Sequence, residues 1–174
     1  MANFNKFLPV LMKHEGGFVD DPLDNGGATK YGITLETWKK LGYDKNNDGI
    51  INKEDVKLIS FADAGQIAKR QYWDFFWADQ IQNQSIAEFI VDFGYNSGQV
   101  TVALIVQKLI AVKPDGIFGN QTVTAINRMA PILLFEALKF RRTEFVKGIV
   151  ARRPSQKKFL KGWINRIESF KYNP

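Results

Sequence analysis

The sequence predicts a mainly α chain with one small β-hairpin lobe near its N-terminus. Apolar positions recur at helical spacing along almost its whole length. Helix-start signals precede most of those stripes, and only residues 20–34 carry the turn chemistry of a hairpin. With 174 residues, 45% of them hydrophobic and 13% aromatic, the chain has ample apolar surface to bury a core. The absence of cysteine excludes disulfides and thiolate metal sites. A net charge of +6, from 24 basic and 18 acidic residues, favours an anionic partner without choosing among nucleic acid, membrane surface and wall polymer.

Taken in order, Phe4, Phe7, Leu8, Leu11 and Met12 form the stripe of an amphipathic helix, and Glu15 is the next position on it. Pro9 sits early enough to cost little more than one hydrogen bond, and Gly16-Gly17 stops the helix. Residues 1–13 carry Lys6, Pro9 and Lys13 without a small-residue cleavage site, so no signal peptide is expected. No apolar run reaches the roughly 18–20 residues of a membrane helix, and a soluble product made in the cytoplasm is expected. Asp24-Asn25-Gly26-Gly27 carries the hairpin-turn signal. Thr34 is placed to cap a helix through Leu35, Trp38 and Leu41 that Gly42 ends.

The next segment places Asp44, Asn46 and Asp48 at positions 1, 3 and 5 of a calcium-type loop, the Ile50 carbonyl at 7 and Asp55 at 12. This spacing predicts one structural calcium ion, with Asp in place of Glu at the last position weakening bidentate ligation. A second reading is a loop closed by Asx-turns, with Asn52 and Asp55 capping the following helix.

Ser60 with Asp63, and Ser85 with Glu88, have capping-box spacing. The first predicts a helix through Ala64, Ile67, Ala68, Tyr72 and Phe75. The second predicts one through Ile86, Phe89, Ile90 and Phe93, ending near Gly94. The aromatic run Tyr72-Trp73-Asp74-Phe75-Phe76-Trp77 is expected mainly in the core. Residues 101–111 are apolar nearly all round, which predicts a central helix. Asn120 is expected to cap a helix from Gln121, Pro131 to open one reaching about residue 151, and Ser155 to open the last, whose stripe is Phe159, Trp163, Ile167 and Phe170.

A carboxylate on an apolar stripe at a helix C-terminus is destabilised by desolvation and by the helix dipole, so Glu15 is expected to hold its proton. A protonated carboxyl can donate to a glycosidic oxygen while a second activates water or stabilises positive charge. Asp24 suits that second role better than Asp20 or Asp21. The residues alone leave open a plainer reading, in which Glu15 is a satisfied half-buried acid and Asp24 only forms a turn. A single histidine, His14, is too few for a Ser-His-Asp or zinc site, and no phosphate-binding fingerprint is present. The basic residues between Lys139 and Lys161 are spread over two helices and read as solvated faces.

Glu15-Gly16-Gly17-Phe18, Asp24-Asn25-Gly26-Gly27-Ala28-Thr29 and Gly32-Ile33-Thr34 resemble the signature of glycoside hydrolase family 108, N-acetylmuramidases of bacteria and phages with a lysozyme-like fold. The likeness continues through residues 44–55, Tyr72-Trp73 and Asp92 with Asn96-Ser97-Gly98. Gln107, Asp115-Gly116-Ile117-Phe118-Gly119, Thr122 and Gly162-Trp163-Ile164-Asn165-Arg166 resemble the predicted peptidoglycan-binding region that accompanies the family. The resemblance implies a lysozyme-like helical fold, with a catalytic region at 1–98 and a peptidoglycan-binding region at 99–174 on the same core. It implies hydrolysis of the β-1,4 bond between N-acetylmuramic acid and N-acetylglucosamine, with Glu15 as general acid. Asp24 and Thr29 are similar in order to the water-positioning pair of phage-type lysozymes, with Thr34 as a competing threonine.

Tyr31, Tyr95 and Asn96 are assigned as substrate contacts, and no cofactor is expected for the chemistry. Expected partners are peptidoglycan and a pore-forming protein that releases the enzyme to the wall or periplasm. A monomer without nucleic-acid binding or membrane insertion is expected. A lytic transglycosylase using Glu15 alone, and a non-catalytic wall-binding or secretion-activating protein, are the competing expectations.

Overall fold

The computed structural model describes residues 1–13, 18 and 28–174. His14, Glu15, Asp24 and the Asn25-Gly26-Gly27 turn lie outside the described residues. The chain forms two compact units, one of residues Phe4–Gln71 and one of Met1–Asn3 with Tyr72–Pro174.

In the first unit, α1 (Phe4–Lys13) buries Phe4, Phe7, Leu11 and Met12, as its spacing predicts. Strands β1 (Thr29–Lys30) and β2 (Ile33–Thr34) pair antiparallel, with Thr29 opposite Thr34 and Lys30 opposite Ile33. Their two-residue turn is Tyr31-Gly32, with φ of 50° and 71°. Left-handed conformation at both positions matches the right-handed twist of a tight hairpin. Helix α2 (Leu35–Leu41) starts as expected: Thr34 Oγ1 accepts from Thr37 N at 3.2 Å, and Gly42 closes the far end. Helices α3 (Lys53–Leu58) and α4 (Phe61–Ala68) both open with capping boxes, Asn52 with Asp55 and Ser60 with Asp63.

The helix expected to run through Tyr72 and Phe75 instead changes type. After Ala68 the chain forms a π-helical turn, Lys69–Trp73. The wider turn inserts one residue and moves the buried positions from Tyr72 and Phe75 to Trp73 and Phe76, both 0% exposed. Trp73 Nε1 donates to Asp79 Oδ1 at 2.7 Å, which satisfies the only polar atom of that side chain.

The second unit is built on α5 (Gln84–Ser97), which packs against α6 (Gln99–Leu109) and α8 (Pro131–Arg152). Helix α8 carries α9 (Lys157–Ser169), and α7 (Asn120–Arg128) lies between α6 and α8 in the chain. The central helix is α5, not the segment 101–111. Nine of the α5 residues from Ser85 to Gly94 are buried, whereas in α6 only Val102, Ala103, Val106 and Gln107 are. Phe89 meets Phe135 and Phe170 edge-on, each at 5.5 Å, and Phe93 meets Phe145 in the same way. Gly94 makes room for Phe76: a Cβ there would lie 2.3 Å from the ring.

Four helix boundaries differ from expectation. Helix α5 is capped by Asn83, whose Oδ1 accepts from Ile86 N at 3.1 Å, so Ser85 and Glu88 are not a capping box. Ser85 Oγ instead accepts from Asn173 N, and Glu88 accepts from Gln84 Nε2. The helix also runs on past Gly94 to Ser97, because a glycine packed under an aromatic ring need not end a helix. Asn120 is the first residue of α7 and not its cap. Helix α9 follows a 3-10 turn, Pro154–Gln156, with no side-chain cap from Ser155.

The Gln107 motif has a structural explanation. Gln107 is 1% exposed, and its Nε2 donates to Asp115 Oδ1 and to the Ile117 carbonyl, at 2.9 and 3.0 Å. Its Oε1 accepts from Gly116 N at 2.9 Å. One buried amide thereby pins the loop between α6 and α7. Among the described residues, no helix is long and apolar enough to cross a membrane.

Candidate functional site

Two of the sequence-assigned site residues lie together on the hairpin. Thr29 is a half-buried β1 residue, and Tyr31 is the first residue of the turn. Lys30 Nζ lies 5.6 Å from the centre of the Tyr31 ring and donates to the Lys57 carbonyl at 2.5 Å, which fastens the hairpin to α3. Thr34 is engaged in capping α2. Its hydroxyl has a helix-starting role that Thr29 does not share. Phe18 lies under Lys57, whose Nζ is 5.6 Å from the ring centre. Glu15 and Asp24, the carboxylates assigned to the chemistry, are outside the described residues.

The segment 44–55 is closed by its own donors. Asp44 accepts from Asn47 N and Gly49 N, both at 2.7 Å, and Asp48 Oδ1 accepts from Ile50 N at 2.9 Å. Asn46 Oδ1 accepts from Asp48 N at 3.0 Å. Asp55 accepts from Asn52 N at 2.8 Å and from Lys45 N at 2.7 Å. The Asn52 N–H first, then those of Lys45 and Asn46, holds the Asp55 carboxyl below the usual carboxylate range, against the opposing effect of its burial. Asn52 and Asp55 thus cap α3, as the second sequence reading has it. Among the described residues, no group of three or more His, Cys, Asp or Glu side chains is arranged to hold a metal ion.

Tyr95 and Asn96 belong to the second unit. Tyr95 packs on Tyr72, with ring centres 4.7 Å apart. Asn96 Nδ2 donates to the Asp92 carbonyl at 2.7 Å, one turn back along α5. Asp92, 0% exposed, is the centre of a buried ionic cluster. Arg166 of α9 reaches it with Nε at 3.1 Å and Nη2 at 2.6 Å, both to Oδ1, and Arg142 of α8 lies with Nη1 2.8 Å from Oδ2. The Arg142 guanidinium also sits over the Phe89 and Phe93 rings, at 5.3 and 5.1 Å. Burial pushes the Arg142 pKa down, Asp92 opposes this, and the neighbouring Arg166 adds to it. Beside the cluster is a cavity of about 90 Å³ lined by Asn96, Ser97, Arg142, Trp163 and Arg166 together with two aliphatic residues of α8. Sequence reasoning placed Arg142 on a solvated face. The signal against that was the lone Asp92 on the apolar stripe of Phe89 and Phe93, which requires a buried cation.

A largely helical chain whose sheet, among the described residues, is a small hairpin between α1 and α2 has the architecture of a lysozyme-like glycoside hydrolase. A family model described as Glycosyl hydrolase 108 matches residues 8–98, and one described as Predicted Peptidoglycan domain matches residues 101–168. The first match spans more than half of the chain, which belongs to glycosyl hydrolase family 108. The protein is a glycoside hydrolase acting on peptidoglycan. The structure of SagA from Brucella abortus is similar, with a TM-score of 0.76 and 29% sequence identity, covering 96% of this chain and 90% of that one. No curated protein matches in sequence. The two family matches meet between residues 98 and 101, whereas the compact units divide after Gln71.

Proposed function

We propose that the protein hydrolyses the β-1,4 bond between N-acetylmuramic acid and N-acetylglucosamine, with Glu15 as general acid and with Asp24 and Thr29 positioning the attacking water. The observation that carries this reading is the match of family 108 to the segment holding all three residues. The buried stripe of α1 supports it: Phe4, Phe7, Leu11 and Met12 face the core, and position 15 is next in that spacing. A carboxyl on such a face keeps its proton and can protonate the leaving oxygen as an oxocarbenium-like transition state develops. Thr29 is the preferred threonine because the Thr34 hydroxyl caps α2.

Digestion of purified peptidoglycan with mass spectrometry of the products tests the reaction. Reducing N-acetylmuramic acid ends are expected. Anhydro-muramic ends would replace hydrolysis with transglycosylation, and intact polymer would leave only wall binding.

A further inference from the structure

Between Glu144 and Glu168 the chain carries seven basic residues and no acidic one. That segment alone exceeds the net charge of +6 of the whole protein, so the rest of the chain is close to neutral. Two of the seven are paired, Lys147 with Glu144 at 3.3 Å and Arg166 with Asp92 at 2.6 Å. The other five, Arg152, Arg153, Lys157, Lys158 and Lys161, are exposed, and none of them forms an ion pair among the described residues.

The fold gathers these five at one end of a helical hairpin. Arg152 ends α8 and Arg153 follows it, the 3-10 turn Pro154–Gln156 redirects the chain, and Lys157, Lys158 and Lys161 stand in the first turns of α9, which packs on α8. Lys157 and Lys158 are the first two residues of α9, where the positive end of the helix dipole disfavours cations and no acidic residue offsets them. Lys157 and Lys161, four positions apart on the helix, repel each other as well. This placement costs stability, and no ion pair among the described residues returns the cost.

A surface of this kind fits a polyanion. Binding along a bilayer needs an apolar face beside the charges, and α9 does not offer one, because Ile167 and Phe170 on its stripe are 1% and 6% exposed. Phe159, 46% exposed, presents a single aromatic face among the lysines; it stacks on Trp163 with ring centres 6.0 Å apart, and Lys158 Nζ lies 4.9 Å from its centre. The peptidoglycan-domain match at residues 101–168 includes all five cations. Peptidoglycan is itself anionic, through the free carboxylates of its stem peptides.

We propose that this end of the α8–α9 hairpin docks the stem-peptide carboxylates of peptidoglycan, with Phe159 packing against apolar parts of the same polymer. The inference rests on the reading of peptidoglycan as the polymer. It gives the C-terminal region a defined contact surface, electrostatic in origin and therefore weakened by salt.

The test is depletion of the full chain from solution by purified peptidoglycan sacculi, in the cold and at low ionic strength. One variant combines Lys157→Gln, Lys158→Gln and Lys161→Gln. Its binding is expected to fall by at least about tenfold and to depend less steeply on salt than that of wild type. Its melting temperature is expected to be unchanged or higher, because the three cations oppose the α9 dipole and one another. Wild-type binding to sacculi whose carboxyls have been amidated is expected to drop to a similar level. A control combining Lys39→Gln, Lys108→Gln and Lys113→Gln removes the same charge from exposed positions elsewhere and is expected to bind as wild type does. Unchanged binding by the first variant overturns the proposal, as does an equal loss in the control or full binding to amidated sacculi. A first variant that keeps its binding to sacculi and loses it only for anionic vesicles or duplex DNA also overturns it. Warming the same mixtures separates the two readings: release of muropeptides by wild type, with unchanged binding by the first variant, removes only this inference.

Discussion

Replacing Asp92 with asparagine keeps the shape of the side chain and removes the charge on which two helices converge. Arg166 reaches that carboxylate at 2.6 Å, and Arg142 lies 2.8 Å from it while only 3% exposed. In Asp92→Asn the buried Arg142 guanidinium stays in place without the carboxylate that faces it. Removing one partner from a buried ion pair costs about 3–5 kcal/mol, mostly from the uncompensated charge left behind. For a chain of this length each kcal/mol moves the melting temperature by about 2–4 °C, so a fall of about 10 °C is expected. Urea unfolding followed by circular dichroism gives the free energy, and calorimetry gives the midpoint. Pairing the change with Arg142→Met should recover part of the loss, because the stranded Arg142 charge is then gone. A loss below about 1 kcal/mol, the range of an exposed pair, would refute the view that Asp92 is the electrostatic centre of this unit.

Three other outcomes follow from the same geometry. Gly94→Ala drives a methyl against the Phe76 ring, where a Cβ would lie 2.3 Å away, and should cost about 1–3 kcal/mol in urea unfolding. Burial raises the Asp63 pKa, but hydrogen bonds from Lys45 and Ser60 outweigh it and lower the group to about 2. Its folded value lies below the unfolded one, so its contribution is complete above about pH 4 and is lost as the pH falls through about 2. After solvent screening this is about 1 kcal/mol, read as the difference between wild type and Asp63→Asn in urea midpoints from pH 5 to pH 2. The loop at 44–55 is closed by its own backbone donors, so chelation with EDTA should leave the melting temperature unchanged. A rise of more than about 2 °C with millimolar calcium would instead support an ion held by Asp44, Asn46, Asp48, Asp55 and the Ile50 carbonyl.

What was legible in the sequence was local. The α1 stripe, the Thr34 and Ser60 caps and the opening of α8 by Pro131 each depend on residues a few positions apart, and each formed as read. The Ser85 signal failed because Asn83, two residues earlier, offered the same oxygen to the same helix end. The aromatic run slipped by one position because a π turn breaks the 3.6-residue period on which the reading relied. The ionic cluster joins residues 74 positions apart, Asp92 and Arg166. No periodicity reports such a pairing, and only the unexplained charge on an apolar face hinted at it. The proposed catalytic residues rest on family resemblance more than on physics, since helical spacing alone leaves Glu15 open between an acid catalyst and a satisfied side chain.

The central claim is that Glu15 protonates the leaving oxygen during hydrolysis, and the rate of peptidoglycan digestion by Glu15→Gln tests it most directly. Glutamine preserves size and hydrogen bonding but has no proton to transfer, so activity should fall by at least about 100-fold while the melting temperature and peptidoglycan binding are retained. A Glu15→Gln enzyme that releases the same products at the wild-type rate would contradict the account.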